Sequence, residues 1–347
     1  MIYKSDVTAI AESEFETLLE SVEDRFENST MAEAAAVVVG EQEANWTTFM
    51  QSVGLSELAA YSEGKTVEYV GERLKSFVET AKKWFEKLKE KIAEITKAFM
   101  NKVTSFANEN MNFVKKYEKA LKDASVPADF EFKGYTFKNL DNVEYGNSVV
   151  RTVNNPKEIL DKDLTKEAAH KALFKSNNPG VEGNLNTQLR AYFYGDKEKK
   201  ALNIDVKEQL DILRETKDMK KQAWSKFTQA AKDITGIIKE LNRAEKVFSK
   251  EHKKDESEGA QDMQKAFNTL IAYWKAYGMG VLQMHTAYLG ALGNRNRQAK
   301  AICVKLIMTN KKAEHAEKKA AKKEEKPEVK TEGFVNTEAF LGAIEFI

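Results

Sequence analysis

One cysteine, Cys303, cannot form an intrachain disulfide or a multi-cysteine zinc site. A single thiol fits assembly in a reducing compartment. Histidine is also scarce: His170, His252, His285 and His315 stand far apart without ligand spacing, so no metal or other cofactor is expected. With 4 prolines and 17 glycines in 347 residues, the chain favours long uninterrupted helices over many short strands. No stretch of about 18 consecutive apolar residues suggests a membrane span. No basic segment followed by an apolar one opens the chain, so synthesis in the cytoplasm is the expectation. Phosphate loops are missing too. Gly278-Met279-Gly280 and Gly290-Ala291-Leu292-Gly293 lack the strand–turn context such loops need, and at these sites glycine suits close helix crossing or a kink.

The chain does have helical periodicity. Residues 261–308 read as one long helix whose middle, 266–292, carries Phe267, Tyr273, Trp274, Tyr277 and Tyr288 with Lys275 as its only formal charge. So apolar a segment must be enclosed, and the amphipathic helices before it are the candidate partners. Residues 6–28 form one such pattern, followed by an apolar run at 31–39, a short helix at 46–58 and a linker at 62–66. From 67 to 121 the stripe Val67, Val70, Leu74, Phe77, Ala81, Trp84, Leu88, Ile92, Ile95, Phe99, Val103 and Phe106 keeps steps of three and four. Burying each large member stabilises by roughly 1.5–3 kcal/mol, against a few tenths for each Lys/Glu pair opposite.

Around Gly134, Phe130, Phe132, Tyr135 and Phe137 alternate as in a small β-hairpin, within a mixed insertion that spans residues 127–200. Asn155-Pro156 and Asp163 offer helix starts. A helix over 205–251, with Val206, Leu210, Leu213, Trp224, Phe227, Ala231, Ile234, Ile238, Leu241 and Phe248 as its apolar stripe, turns at 252–259 into the central helix. The predicted organisation is therefore an acidic segment at 1–66, a long helix at 67–126, the insertion at 127–200 and an antiparallel helical hairpin at 201–310. A charged linker at 311–330 and an apolar tail at 331–347 complete it. The fold class is mainly α: an elongated bundle of long amphipathic helices with a small β-hairpin insertion.

No catalytic constellation stands out. With 54 acids, paired carboxylates such as Glu12/Glu16/Glu20 and Glu23/Glu27 are expected on any solvated helix. His285 beside Met284 and Tyr288 has the setting of a core histidine, with a buried general base as the alternative. Cys303, within Ala301-Ile302-Cys303-Val304, reads as an inert small hydrophobe. The chain is therefore expected not to be an enzyme.

Charge is unevenly distributed. Residues 1–66 hold three basic residues against thirteen acids, a net of −10, so the remainder carries +11 within the total of +1. Such a division suggests different partners for the two portions, or mutual attraction. Lys82, Lys83, Lys115, Lys116, Arg295 and Arg297 (with Lys253/Lys254) are candidates for non-specific phosphate contact.

The acidic segment followed by the Trp/Phe/Lys-rich helix around Trp84-Phe85 resembles internal head and other virion structural proteins of large tailed bacteriophages. The likeness covers mainly residues 1–120. It implies cleavage of an N-terminal propeptide by the prohead protease, after a small or aliphatic residue, any residue, then Glu. Glu33, Glu57 and Glu345 sit in such triplets, and Glu63 in a looser one. It further implies partners among other virion proteins or further copies of this chain, contact with packaged DNA, and a place in the virion after synthesis in the host cytoplasm. The alternative is a membrane-active helical protein inserting residues 266–292 or the Trp84 helix, whose aromatics and lysines also suit a lipid interface.

Overall fold

The computed structural model describes residues 67–123, 125–141, 157–174, 180, 182–195, 199–252 and 259–324, together with Ala44. The expected segments at 6–28, 31–39, 46–58, 62–66 and 331–347 lie outside the described residues.

Three long helices make the frame: α1 (Val67–Asp123), α6 (Met219–His252) and α7 (Gly259–Glu324). Between α1 and α6 in the chain come β1 (Lys133–Gly134), α2 (Lys157–Leu160), α3 (Lys166–Leu173), α4 (Leu185–Phe193), β2 (Lys200–Ala201) and α5 (Val206–Arg214). A 3-10 turn at Glu215–Asp218 joins α5 to α6. The class is mainly α with a small antiparallel sheet. α7 continues through the lysine-rich stretch to Glu324, taking in much of the charged run at 311–330.

α1 follows its stripe closely: Phe77, Ala81, Trp84, Leu88, Ile92, Phe99 and Val103 are buried, with Val78 and Phe85 beside them. Its steps repeat about every eleven residues, which keeps a stripe nearly straight along a long helix. α6 differs from its expected stripe. The buried line is Ala230, Ile234, Ile237, Leu241, Ala244 and Phe248, at alternating steps of four and three, with Ala223 one further heptad back. Small side chains let α6 lie close to its neighbour, and Trp224 is turned out to solvent. α1 and α6 run antiparallel, since Asn110 reaches Thr216 at one end and Lys82 approaches Glu245 at the other.

The middle of α7 is enclosed nearly all round by α1 and α6 on one side and α2, α3 and α4 on the other. Phe267 lies edge-on to Phe77 of α1 and Phe248 of α6, with centroids 5.4 and 5.2 Å away. Gly278 sits where the three long helices meet. A Cβ there would come within 2.9 Å of the Phe85 ring and 3.2 Å of Leu88, whereas Gly290 has no atom within 4 Å. Adding a side chain should therefore have opposite signs at the two positions. Gly290→Ala is expected to raise stability by about 0.5–1 kcal/mol through helix propensity, and Gly278→Val to lower it by about 1–3 kcal/mol through overpacking. Urea denaturation of both variants checks this. Two shifts of the same sign would refute the packing argument.

A second apolar cluster joins Phe113, Val114 and Leu121 of α1 to Leu210 and Leu213 of α5 and to Cys303, Val304 and Leu306 of α7. Beside it a buried polar knot explains the 3-10 turn. Asn296 donates to Thr216 Oγ1 at 2.6 Å and to Ile212 O at 3.2 Å. Asn110 donates to Asn296 Oδ1 at 2.7 Å, and Thr216 donates to Leu213 O at 2.7 Å. Orphan backbone acceptors at the α5–α6 break thereby acquire donors.

The small sheet is assembled from distant segments. Lys133 pairs with Ala201 and Gly134 with Lys200, so the partner of the Gly134 segment comes from β2 and not from within residues 130–137. The Gln298 side chain of α7 substitutes for a strand: it accepts from Tyr135 N at 2.8 Å and donates to Tyr135 O at 2.9 Å. Only a glycine at 134 lets that amide in, because a Cβ would fall 2.6 Å from Gln298 Oε1.

Candidate functional site

A concavity of about 1010 Å³ opens between α3, the start of α4 and α7, and is lined among others by Lys166, His170, Lys171, Glu182, Lys275 and Gln283. Short capping residues hold its walls. Thr165 Oγ1 accepts from Ala168 N at the start of α3, and Asp163 Oδ1 accepts from the Thr165 hydroxyl; Thr165, and not Asp163, is therefore the cap. Asn184 Oδ1 accepts from Thr187 N at the start of α4. Burial, aided by the Lys166 charge, holds His170 below the usual histidine range, while Glu167 pulls the other way. No nucleophilic side chain is hydrogen-bonded to His170 among the described residues. The wall is a mixture of amides, both signs of charge and the apolar Ile271 and Met279.

Histidine chemistry in the interior is also quiescent. Thr96 gives its hydroxyl proton to Ile92 O at 2.7 Å and lies 2.8 Å from His285 Nε2, so it receives the Nε2 hydrogen. Complete burial lowers His285 to about 3, leaving a neutral imidazole. Cys303 is buried between helices and its thiol is pushed up to about 12, as for an inert hydrophobe. Tyr277 donates to the buried Asp233 at 2.9 Å, tying α7 to α6. Among the described residues no group of three or more His, Cys, Asp or Glu side chains could hold a metal ion.

The six candidate phosphate contacts are dispersed. Lys82 is largely covered and paired with Glu79 and Glu245, while Lys83 beside it is exposed. Lys115 and Lys116 are exposed toward the far end of α1, Lys116 against the Tyr117 ring. On α7, Arg295 faces Asp141 at 3.6 Å and Arg297 is half-buried. The basic end of α7 largely serves the crossing segment: Lys305 donates to Glu131 O at 2.7 Å and lies over the Phe130 and Phe132 rings, and Asn294 donates to Tyr194 at 2.9 Å. The triplets ending at Glu33, Glu57, Glu63 and Glu345, and Lys253/Lys254, lie outside the described residues. Trp84 and Phe85, which a lipid-facing helix would expose, are core residues, and no helix among the described residues is long and apolar enough to cross a membrane.

The surface residue that the apolar pattern hides is Trp224. It is 48% exposed, against complete burial of Trp274. The signal that could have found it is the alanine-rich heptad line Ala223, Ala230, Ile237 and Ala244 running through the same helix. Comparison with protein-family models, curated proteins and solved structures returned no match.

Proposed function

We propose that this chain is a non-enzymatic structural protein of a tailed-phage virion, internal to or lining the head, whose acidic N-terminal segment is removed by the prohead protease. The observation that carries the reading is the charge division: −10 in residues 1–66 against +11 in the rest. Cleavage after Glu57 or Glu63 takes away about ten net negative charges and leaves a basic body compatible with packaged DNA. Its partners are other virion proteins or further copies of itself, and it needs no cofactor. The helical frame supports the reading, because the polar groups in its interior serve to fasten one helix to another.

Mass spectrometry of purified mature particles tests this. The expected result is abundant peptides from residues 67–324 and a new N-terminus immediately after Glu57 or Glu63. An intact Met1 end in mature particles refutes processing. Absence of the chain from the particles refutes the function.

A further inference from the structure

From Met219 to Lys239 the only acidic residue of α6 is Asp233, which is buried against Tyr277. Over the same length the exposed face presents Lys221, Trp224 and Lys232 at helical spacing, with Lys220 one turn before Trp224. Lys220, Lys221 and Lys232 form no ion pair among the described residues. The antiparallel register set by Asn110–Thr216 and Lys82–Glu245 lays residues 95–108 of α1 alongside Met219–Lys232. That stretch also lacks an acid and exposes Lys97. Glu94 on α1 and Asp218 before α6 bound this acid-free surface. At its centre the Trp224 ring leans on Phe227, centroids 5.0 Å apart, which braces an aromatic plane standing in solvent.

We infer that this face binds single-stranded nucleic acid, its phosphates along Lys97, Lys220, Lys221 and Lys232 and a base stacked on Trp224. An exposed indole offers a large flat apolar face on which a planar partner can stack. Lysines on both sides of it, with the nearest exposed carboxylates only at the two ends of the surface, favour a polyanion. Unpaired bases on a phosphodiester backbone meet both demands, and stacking on an indole works for any base. The surface, Lys220 to Lys232, spans roughly 18 Å of helix. It is separate from the six dispersed candidates. The inference goes beyond the proposed function, since it concerns unpaired strands and not packaged duplex, and it does not depend on the chain's place in a particle.

Fluorescence anisotropy of the full chain with a labelled oligothymidylate, and with a duplex of equal length, tests it. Tighter binding of the single strand is expected. Trp224→Ala should weaken that binding by about tenfold or more. Lys220→Ala, Lys221→Ala and Lys232→Ala combined should flatten the salt dependence by about two units of log K per log salt. Lys221, Trp224 and Lys232 are exposed and Lys220 is half-buried, and unchanged unfolding curves for the variants would establish that any loss is one of contact. Equal affinity for both probes with no effect of Trp224→Ala overturns the inference. So does failure to bind either probe, or displacement of the oligonucleotide by polyglutamate at equal charge, which would assign the face to an acidic protein. None of these outcomes bears on whether the chain is found in particles.

Discussion

Phe267→Ala is expected to lower the unfolding free energy by about 3–5 kcal/mol, the range for deleting a buried aromatic ring from a core that cannot fully collapse. The ring is the junction of three helices: it meets Phe77 of α1 and Phe248 of α6 edge-on and is itself part of α7. Edge-to-face contacts add about 0.5–1.5 kcal/mol each to the area they bury, so two are lost along with the transfer term. Relaxation is limited, because long helices held along their whole length cannot shift at one turn without disturbing many. Trp224→Ala removes a still larger side chain from the neighbouring helix and should change stability by only about 0.5 kcal/mol, since nearly half of that residue is already in water. Urea unfolding of the two variants beside the parent chain decides the matter. A Phe267→Ala loss no larger than that of Trp224→Ala would mean that α1, α6 and α7 are not joined there.

The contrast between those two residues also shows what the sequence could reveal. α1 was legible because large apolar and charged residues alternate at helical spacing over 57 residues, which leaves one face to bury. α6 is only partly legible because its seam is rich in alanine, which contrasts little with its surroundings, so the larger Trp224 and Ile238 draw the apparent stripe toward the solvent side. The enclosure of α7 followed from its composition, with a single charge in residues 266–292. The polar ties could not be foreseen. Gln298 reaches a backbone 163 positions away, and Asn296, Asn110 and Thr216 meet only once three segments are in place. Pairing of β1 with β2 across 66 residues has the same character, since alternation marks an extended segment without naming its partner. The cleft also draws its walls from three separate stretches, which no local motif announces.

Acid should expose the second large effect, at His285. Its imidazole is fully buried and neutral, held near a pKa of about 3 by desolvation, whereas the unfolded chain presents it to water at about 6.5. The folded-state value is the lower one. Its contribution is therefore intact above about pH 6.5 and is lost progressively as the pH falls toward the folded value, because only the unfolded chain takes up the proton. Between about pH 7 and pH 4 that amounts to roughly 3 kcal/mol. His285→Gln isolates it, since the amide can still donate to Thr96 Oγ1 but does not titrate. Near neutrality the variant should be no more than about 1–2 kcal/mol less stable than the parent, the cost of an imperfect fit. By about pH 4 the order should reverse, because the remaining carboxylates and histidines titrate alike in both chains. Stability curves that stay parallel from neutral to acid pH would show that the imidazole reaches solvent and is protonated in place. The seam between α1 and α7 at Thr96 would then have to open in the folded protein.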